Sequence, residues 1–457
     1  MKLKKNIEYE IIDILDKRFI IIPETLMFFE SNPTIEEIMY DYNNLDQKEL
    51  LEKYPKEKRG EVKSVLKQIN TIVEDIDLYN ANKINSEKIS INSMEINPAH
   101  SCNLRCKYCY AQDGSHDKIG FMSEETARKA VDFLIENSND SEKLYIAFIG
   151  GEPLLNINTI EFILDYSTKE AEKRDKQLVF STTVNGTLLT SEIMNLLDDY
   201  DVKSMISLDS IDQVTNDYLR PMANGEGSYQ KIMENGWESM LSRSKKSAIR
   251  STITPANIKF YQTAKGFYES GFYHVHVEEV KSEKEDFLFS DEDKRILKEE
   301  YINLAQYLLQ KIVNGFDLSS KPLLDQFSNI HNRTPKYFYC GAFKNSVGIS
   351  ANGGIYPCDG LMWESYKLGT LNQGIDSNRL NYLKSKYINN EKCTRCWARN
   401  LCGRGCIMEH IEAVNKKKIM DCSLKLFKFK LQLYLYSEIA KKRPEFLGKF
   451  KNRRVYK

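Results

Sequence analysis

The sequence predicts an α/β protein: a partial (β/α)6 TIM-like barrel between a small winged-helix-like domain and a cysteine-rich domain. Three observations lead there. From Ser93 to Glu279, strand-length apolar runs alternate with helix-length segments, the pattern of parallel βα units. Residues 1–80 hold two short β-rich runs and then helical periodicity. The ten cysteines fall into two clusters, one on each side of a long cysteine-free stretch.

Composition sets the class. The chain has 457 residues, of which 41% are hydrophobic and 28% charged, a balance that supports a large core and about two or three domains. Basic and acidic residues number 65 each, so no overall field draws in nucleic acid or a membrane surface. No run of about 18 apolar residues is available to span a bilayer, and the start Met1-Lys2-Leu3-Lys4-Lys5-Asn6 leads into a mixed pattern unlike a signal region. The expected address is the cytoplasm, where thiols stay reduced.

In chain order, residues 1–80 form the first unit, with β-rich runs at Ile7–Ile14 and Phe19–Ile22 and about three helices. The last helix is the clearest: Val62, Val65, Leu66, Ile69, Ile72, Val73 and Ile76 share one face. Residues 81–92 read as a polar linker. Residues 93–283 carry six strands, near 93–98, 143–149, 177–183, 202–208, 247–254 and 273–278. Helices follow the first five, the first of them opening at Ser123 with Glu124 and Glu125 in its first turn. Six units fall short of a closed eightfold barrel and leave a side open for a large substrate; chemistry in this architecture sits at the C-terminal strand ends. Residues 284–335 are charged and helical in pattern, a bridge to the second cysteine region. Residues 336–430 contain that region, in which Gly and Cys break any long periodicity and metal is needed to define the fold. Residues 431–457 read as a basic tail; the stretch 441–457 carries eight basic side chains and one acidic.

Cys102-Asn-Leu-Arg-Cys106-Lys-Tyr-Cys109 places three thiolates on one loop after the first barrel strand. Three protein ligands leave one iron of a cubane cluster open, although thiolates also suit zinc. The Cys-x3-Cys-x2-Cys spacing, with Tyr108 before the last cysteine, resembles the signature of radical S-adenosylmethionine enzymes. Further segments resemble that family in the same order. Gly150-Gly151-Glu152-Pro153 resembles the segment that contacts the methionine amino group, where small residues allow backbone approach and Glu152 complements an ammonium. Asn185 lies in a segment similar to the family's Thr-Asn-Gly, with Val184 where Thr is usual. Ser207 and Asp209 match the fourth-strand segment, with Ser210 in place of Gly, and Arg250 matches a fifth-strand residue that pairs with the cofactor carboxylate. The resemblance implies that S-adenosylmethionine, chelated by the open iron, is cleaved to a 5′-deoxyadenosyl radical that takes hydrogen from an unactivated carbon.

The remaining cysteines, Cys340, Cys358, Cys393, Cys396, Cys402, Cys406 and Cys422, resemble the seven-cysteine pattern of the SPASM domain, although 393–406 alone also fits a zinc ribbon. The resemblance implies two auxiliary clusters, for three [4Fe-4S] clusters in all. It assigns Cys393, Cys396, Cys402 and Cys422 to the outer auxiliary cluster and Cys340, Cys358 and Cys406 to the inner one. Sulfatase maturases add a cysteine between the positions of Cys340 and Cys358; this chain has none there. If both auxiliary clusters form, the inner one lacks one protein ligand and offers a place for a substrate thiolate, the alternative fourth ligand being a water, a backbone group or another side chain. Asp359, directly after Cys358, resembles the acidic base of those maturases. His274 and His276 fit strand packing better than catalysis.

The segment 1–80 resembles the element that binds leader peptides in ribosomal peptide biosynthesis, by strand addition to a sheet edge. DNA binding is disfavoured because Glu61, Glu74 and Asp75 balance Lys63 and Lys67 on the candidate recognition helix. The resemblances together imply a peptide maturase that installs thioether crosslinks in a cysteine-containing precursor with a leader. A flavodoxin- or ferredoxin-type protein is the expected electron donor. The alternatives are formylglycine formation, carbon–carbon crosslinking and, remotely, a metal-stabilised DNA-binding protein.

Overall fold

Glu10–Ile14 and Lys17–Ile22 pair as an antiparallel hairpin, and a third strand, Met27–Glu30, lies on the other side of Lys17–Ile22. The structure is a computed structural model that describes residues 6–82, 90–112, 120–243, 245–282, 284–388, 391–415 and 420–451. The central strand is buried on both faces. Its alternation splits it between two cores: Ile20 and Ile22 pack with the helices Pro33–Asn44, Gln47–Lys53 and Arg59–Asn82, while Phe19 and Ile21 join the core of the main body. The third strand was not expected, because Met27-Phe28-Phe29 is an unbroken apolar run; Phe28 faces the main body and Met27 and Phe29 face the helices. Most of the expected linker lies outside the described residues.

The six expected strands are present as Ser93–Ile96, Lys143–Phe148, Gln177–Val184, Lys203–Ser207, Ser247–Ile253 and His274–Glu279, all parallel and side by side in chain order. Helices connect them. The first, Glu124–Asn137, is capped as predicted: the Ser123 hydroxyl accepts from the Thr126 N–H. Two further parallel strands extend the sheet at its ends, Ser319–Lys321 beside His274–Glu279 and Ser346–Ile349 beside Ser93–Ile96. Three short antiparallel strands, Gly354–Tyr356, Gly369–Thr370 and Gly374–Ile375, continue from the latter into the cysteine-rich region. The bridge 284–335 is therefore helical only in part. Its main element, Asp291–Val313, opens on a Ser290/Asp293 capping box.

The basic tail expected from residue 431 is corrected as far as Phe450. Ser423–Lys442 is one helix, with Leu431, Leu433, Leu435 and Ile439 fully buried, and it packs on Asp291–Val313. The turn Pro444–Phe450 then buries Phe446, Leu447 and Phe450. Residues 452–457 lie outside the described residues. Among those described, no helix is long and apolar enough to cross a membrane.

Candidate active site

Parallel strands bring their C-terminal ends to one side, so the segments after the first four meet there. The three-cysteine loop is held by backbone bonds to a distant segment: Arg105 N–H donates to Pro221 O at 2.8 Å and Lys107 N–H to Leu219 O at 3.0 Å. Burial pushes the Cys102 thiol up to about 11 and Cys106 to about 12, and the neighbouring thiols add to the rise. Such a pocket disfavours thiolates unless a cation stabilises them, and three soft donors on one loop suit iron.

Gly150 follows the second strand at φ +146, and a Cβ there would stand 2.2 Å from Asn97 Oδ1, so only glycine fits. Glu152 is buried and accepts from Asn185 N–H at 2.7 Å and Leu154 N–H at 3.2 Å. Burial raises its carboxyl to about 7 despite those donors. Asn185 in turn donates to Asn103 Oδ1 at 2.7 Å and sits 3.9 Å from Cys102 Sγ. Gly150, Gly151, Glu152, Pro153 and Asn185 thus form one block against the cysteine loop, with Gly151 N–H on Ala99 O.

Tyr108 and Asp209 also meet. The Tyr108 hydroxyl donates to Asp209 Oδ2 at 2.5 Å and accepts from Arg220 Nη1 at 2.6 Å, and Asp209 Oδ1 accepts from Thr252 N–H at 2.9 Å. Their hydrogen bonds run to protein groups, so they brace the loop from the fourth and fifth strands. Arg220, 6% exposed and 3.9 Å from Asp209, was missed by sequence reasoning; nothing in its local sequence distinguishes it. Ser207 and Arg250 are neighbours across the fourth and fifth strands. The half-buried Arg250 guanidinium has no hydrogen-bond or ion-pair partner among the described residues.

The seven later cysteines, none in a disulfide, divide into two groups. Cys358 stands within electrostatic reach of Cys340 and Cys406: burial raises its thiol well above the usual range, and the charges of Asp359, Glu95, Cys406 and Cys340 add to the rise. Cys393, Cys396, Cys402 and Cys422 form the other, with Cys402 pushed up to about 12 chiefly by burial. Two glycines allow the packing. A Cβ on Gly348 would meet the Cys358 backbone at 2.7 Å, and one on Gly403, at φ +62, the Phe338 backbone at 2.5 Å. His410 stands 3.8 Å from Cys393 Sγ, another position that spacing did not reveal.

Asp359 faces the first loop. Tyr110, the residue after Cys109, donates its hydroxyl to Asp359 Oδ2 at 2.6 Å, and Asp359 N–H donates to Glu95 Oε2 at 2.9 Å. Cys340 is exposed, as is Tyr110, so this junction opens to solvent. His274 and His276 are held by Ser319 and Glu278, and burial lowers them to about 4 and about 3, as packed neutral imidazoles.

Residues 96–236 match the family model of the radical SAM superfamily. The chain is 30% identical over 289 residues to an uncharacterized protein of Methanocaldococcus jannaschii, covering 62% of this chain and 89% of that one. It is 27% identical over 343 residues to the radical SAM cyclopropyl synthase TigE of Paramaledivibacter caminithermalis, covering 69% and 68%. Among solved structures, Streptococcus suis SuiB bound to precursor peptide SuiA has the same fold, with a TM-score of 0.52 at 16% identity over 88% of this chain and 94% of that one.

Proposed function

Because residues 96–236 belong to the radical SAM superfamily, we propose that the chain is a SPASM-type member that matures a ribosomally made precursor peptide by joining cysteine sulfur to carbon in thioether links. The observation that carries this reading is the group Cys340, Cys358 and Cys406 beside Asp359. The chain's other cysteines belong to the first loop and the outer group, so a four-iron cluster here has one position left for a substrate thiolate.

Cys102, Cys106 and Cys109 would hold the radical cluster, Cys340, Cys358 and Cys406 the inner auxiliary cluster, and Cys393, Cys396, Cys402 and Cys422 the outer one. Bound there, iron–sulfur and S-adenosylmethionine supply a carbon radical able to take hydrogen from an unactivated C–H bond. The residues around them do the rest. Gly150 and Gly151 leave backbone approachable, the Glu152–Asn185 block fixes the loop, and Arg250 offers its unpaired guanidinium to the cofactor carboxylate. Asp359 takes the substrate thiol proton, oriented by Tyr110. The product lacks one S–H and one C–H hydrogen: the C–H hydrogen goes to the cofactor-derived radical, the S–H proton to Asp359, and an iron–sulfur centre held by Cys340, Cys358 and Cys406 would supply the acceptor for the one electron released as sulfur and carbon join.

The amino-terminal module, 1–80, supplies leader recognition in this reading. An outer strand of its sheet, Glu10–Ile14 or Met27–Glu30, would pair with the leader. The bound precursor in SuiB supports a peptide partner, and an external flavodoxin- or ferredoxin-type donor in the cytoplasm would supply electrons.

Anaerobic incubation of the reconstituted protein with cysteine-containing peptides and S-adenosylmethionine tests this. Thioether formation gives a mass loss of two hydrogens and a thiol that no longer alkylates. The same loss with the thiol intact indicates carbon–carbon bond formation, the chemistry TigE's name suggests, and a hydrazide-reactive aldehyde indicates formylglycine. Either outcome overturns the thioether reading.

A further inference from the structure

We infer that Glu95 is a positioning residue for this chemistry: from the first parallel strand it holds the Cys358–Asp359 peptide so that Asp359 faces Tyr110, fixing the two cysteine loops against each other. The inference rests on the reading above. Ser93–Ile96 sends Met94 and Ile96 into the core, so Glu95 points to the opposite face. Its register neighbours are small, Ala147 on one strand and Gly348 on the other. At Gly348 the Cys358 backbone lies directly on the sheet, in space that a Cβ would fill. The Glu95 carboxyl fills the gap beside it and accepts the Asp359 N–H at 2.9 Å. One residue therefore connects the strand, the inner cysteine loop and, through Asp359 and Tyr110 at 2.6 Å, the loop of Cys109.

Truncating Glu95 leaves the part-buried Asp359 N–H without its acceptor, and the peptide is then free to turn Asp359 away from Tyr110. A misplacement of that kind costs coupling between radical formation and bond formation rather than radical formation itself. Glutamine keeps the length of the side chain and an oxygen that can accept the Asp359 N–H, so it preserves the contact that alanine removes.

The test uses the full-length reconstituted protein with E95A, E95Q, Y110F and the E95A/Y110F pair. Two quantities are read: 5′-deoxyadenosine formed per modified peptide, and the electron paramagnetic resonance spectrum of the reduced auxiliary centres without substrate. The inference predicts that E95A raises the ratio roughly tenfold or more and shifts the spectrum. It predicts that E95Q restores both, and that the pair is no worse than E95A alone, since both changes break one chain of contacts. An unchanged ratio and spectrum in E95A, additive effects in the pair, or an E95Q that loses iron together with E95A would overturn it. If the unmodified protein cleaves the cofactor but alters no cysteine peptide, the thioether reading fails, and the spectrum still decides the role of Glu95.

Discussion

Arg399 forms a two-pronged ion pair with Glu8, 391 residues away in the chain, with Nη1 2.7 Å from one carboxylate oxygen and Nη2 2.8 Å from the other. Arg399 lies in the short helix between Cys396 and Cys402, and its Nη1 also reaches the Cys396 carbonyl at 3.2 Å. Glu24 shares the guanidinium, and the Asn400 amide donates to Pro23 O at 2.8 Å. The loop of the outer cysteines is thereby a clamp on the amino-terminal module.

Replacing Arg399 with Ala should loosen that module. Glu24, largely buried, loses its partner, so the local cost is about 1–3 kcal/mol. Hydrogen exchange of residues 10–30 should speed up while the parallel strands of the main sheet keep their protection; unchanged exchange across 10–30 would show that the apolar face alone holds the module.

A second clamp is pH-sensitive. Glu30 accepts from Lys17 and Lys441, each at 2.6 Å, and those hydrogen bonds hold its carboxyl down at about 2. Its folded pKa is depressed, so the stability it contributes is complete above the ordinary glutamate range and is lost as pH falls from about 4.5 to about 2. Because Glu30 is partly exposed, the effect is modest and weakens with salt. Acid titration of E30Q against the unmodified protein should show a shallower loss of stability in the variant over that window.

Gly150→Ala should be costly for two reasons. Its φ of +146 strains any side chain, and the new Cβ would meet Asn97. A loss of about 1–3 kcal/mol in stability is expected, together with weakened S-adenosylmethionine binding, both measurable by calorimetry on the reconstituted protein.

Arg250→Lys keeps charge but loses the planar pair of donors. Cofactor affinity should fall about tenfold or more, with Arg250→Ala lower still, as the loss of charge-assisted hydrogen bonds implies. Calorimetric titration with S-adenosylmethionine checks this, and affinity unchanged in both variants would remove Arg250 from the site.

What the sequence revealed and what it concealed have physical causes. The six parallel strands are buried runs between turn residues, and the cysteines mark their own spacing. Ser319–Lys321 escaped because it contains no apolar residue and is a strand only through its neighbour His274–Glu279. The helix Ser423–Lys442 escaped because Leu424 to Tyr436 alternates like a strand. It is buried on nearly all sides, Lys428 being matched by Glu279 at 2.6 Å and Gln432 by the Gln326 N–H at 3.1 Å. Arg220 and Glu95 were hidden because their roles depend on partners 112 and 264 residues away.

The most direct test of the account is the metal and sulfide content of the anaerobically reconstituted protein, with electron paramagnetic resonance after reduction, in the presence and absence of S-adenosylmethionine. Three four-iron clusters predict about twelve irons per chain and matching sulfide, a signal that S-adenosylmethionine perturbs, and the loss of that perturbed signal alone when Cys102, Cys106 and Cys109 are replaced. About four irons with zinc on the later cysteines would contradict the thiolate-docking proposal, and zinc without iron would contradict the whole account.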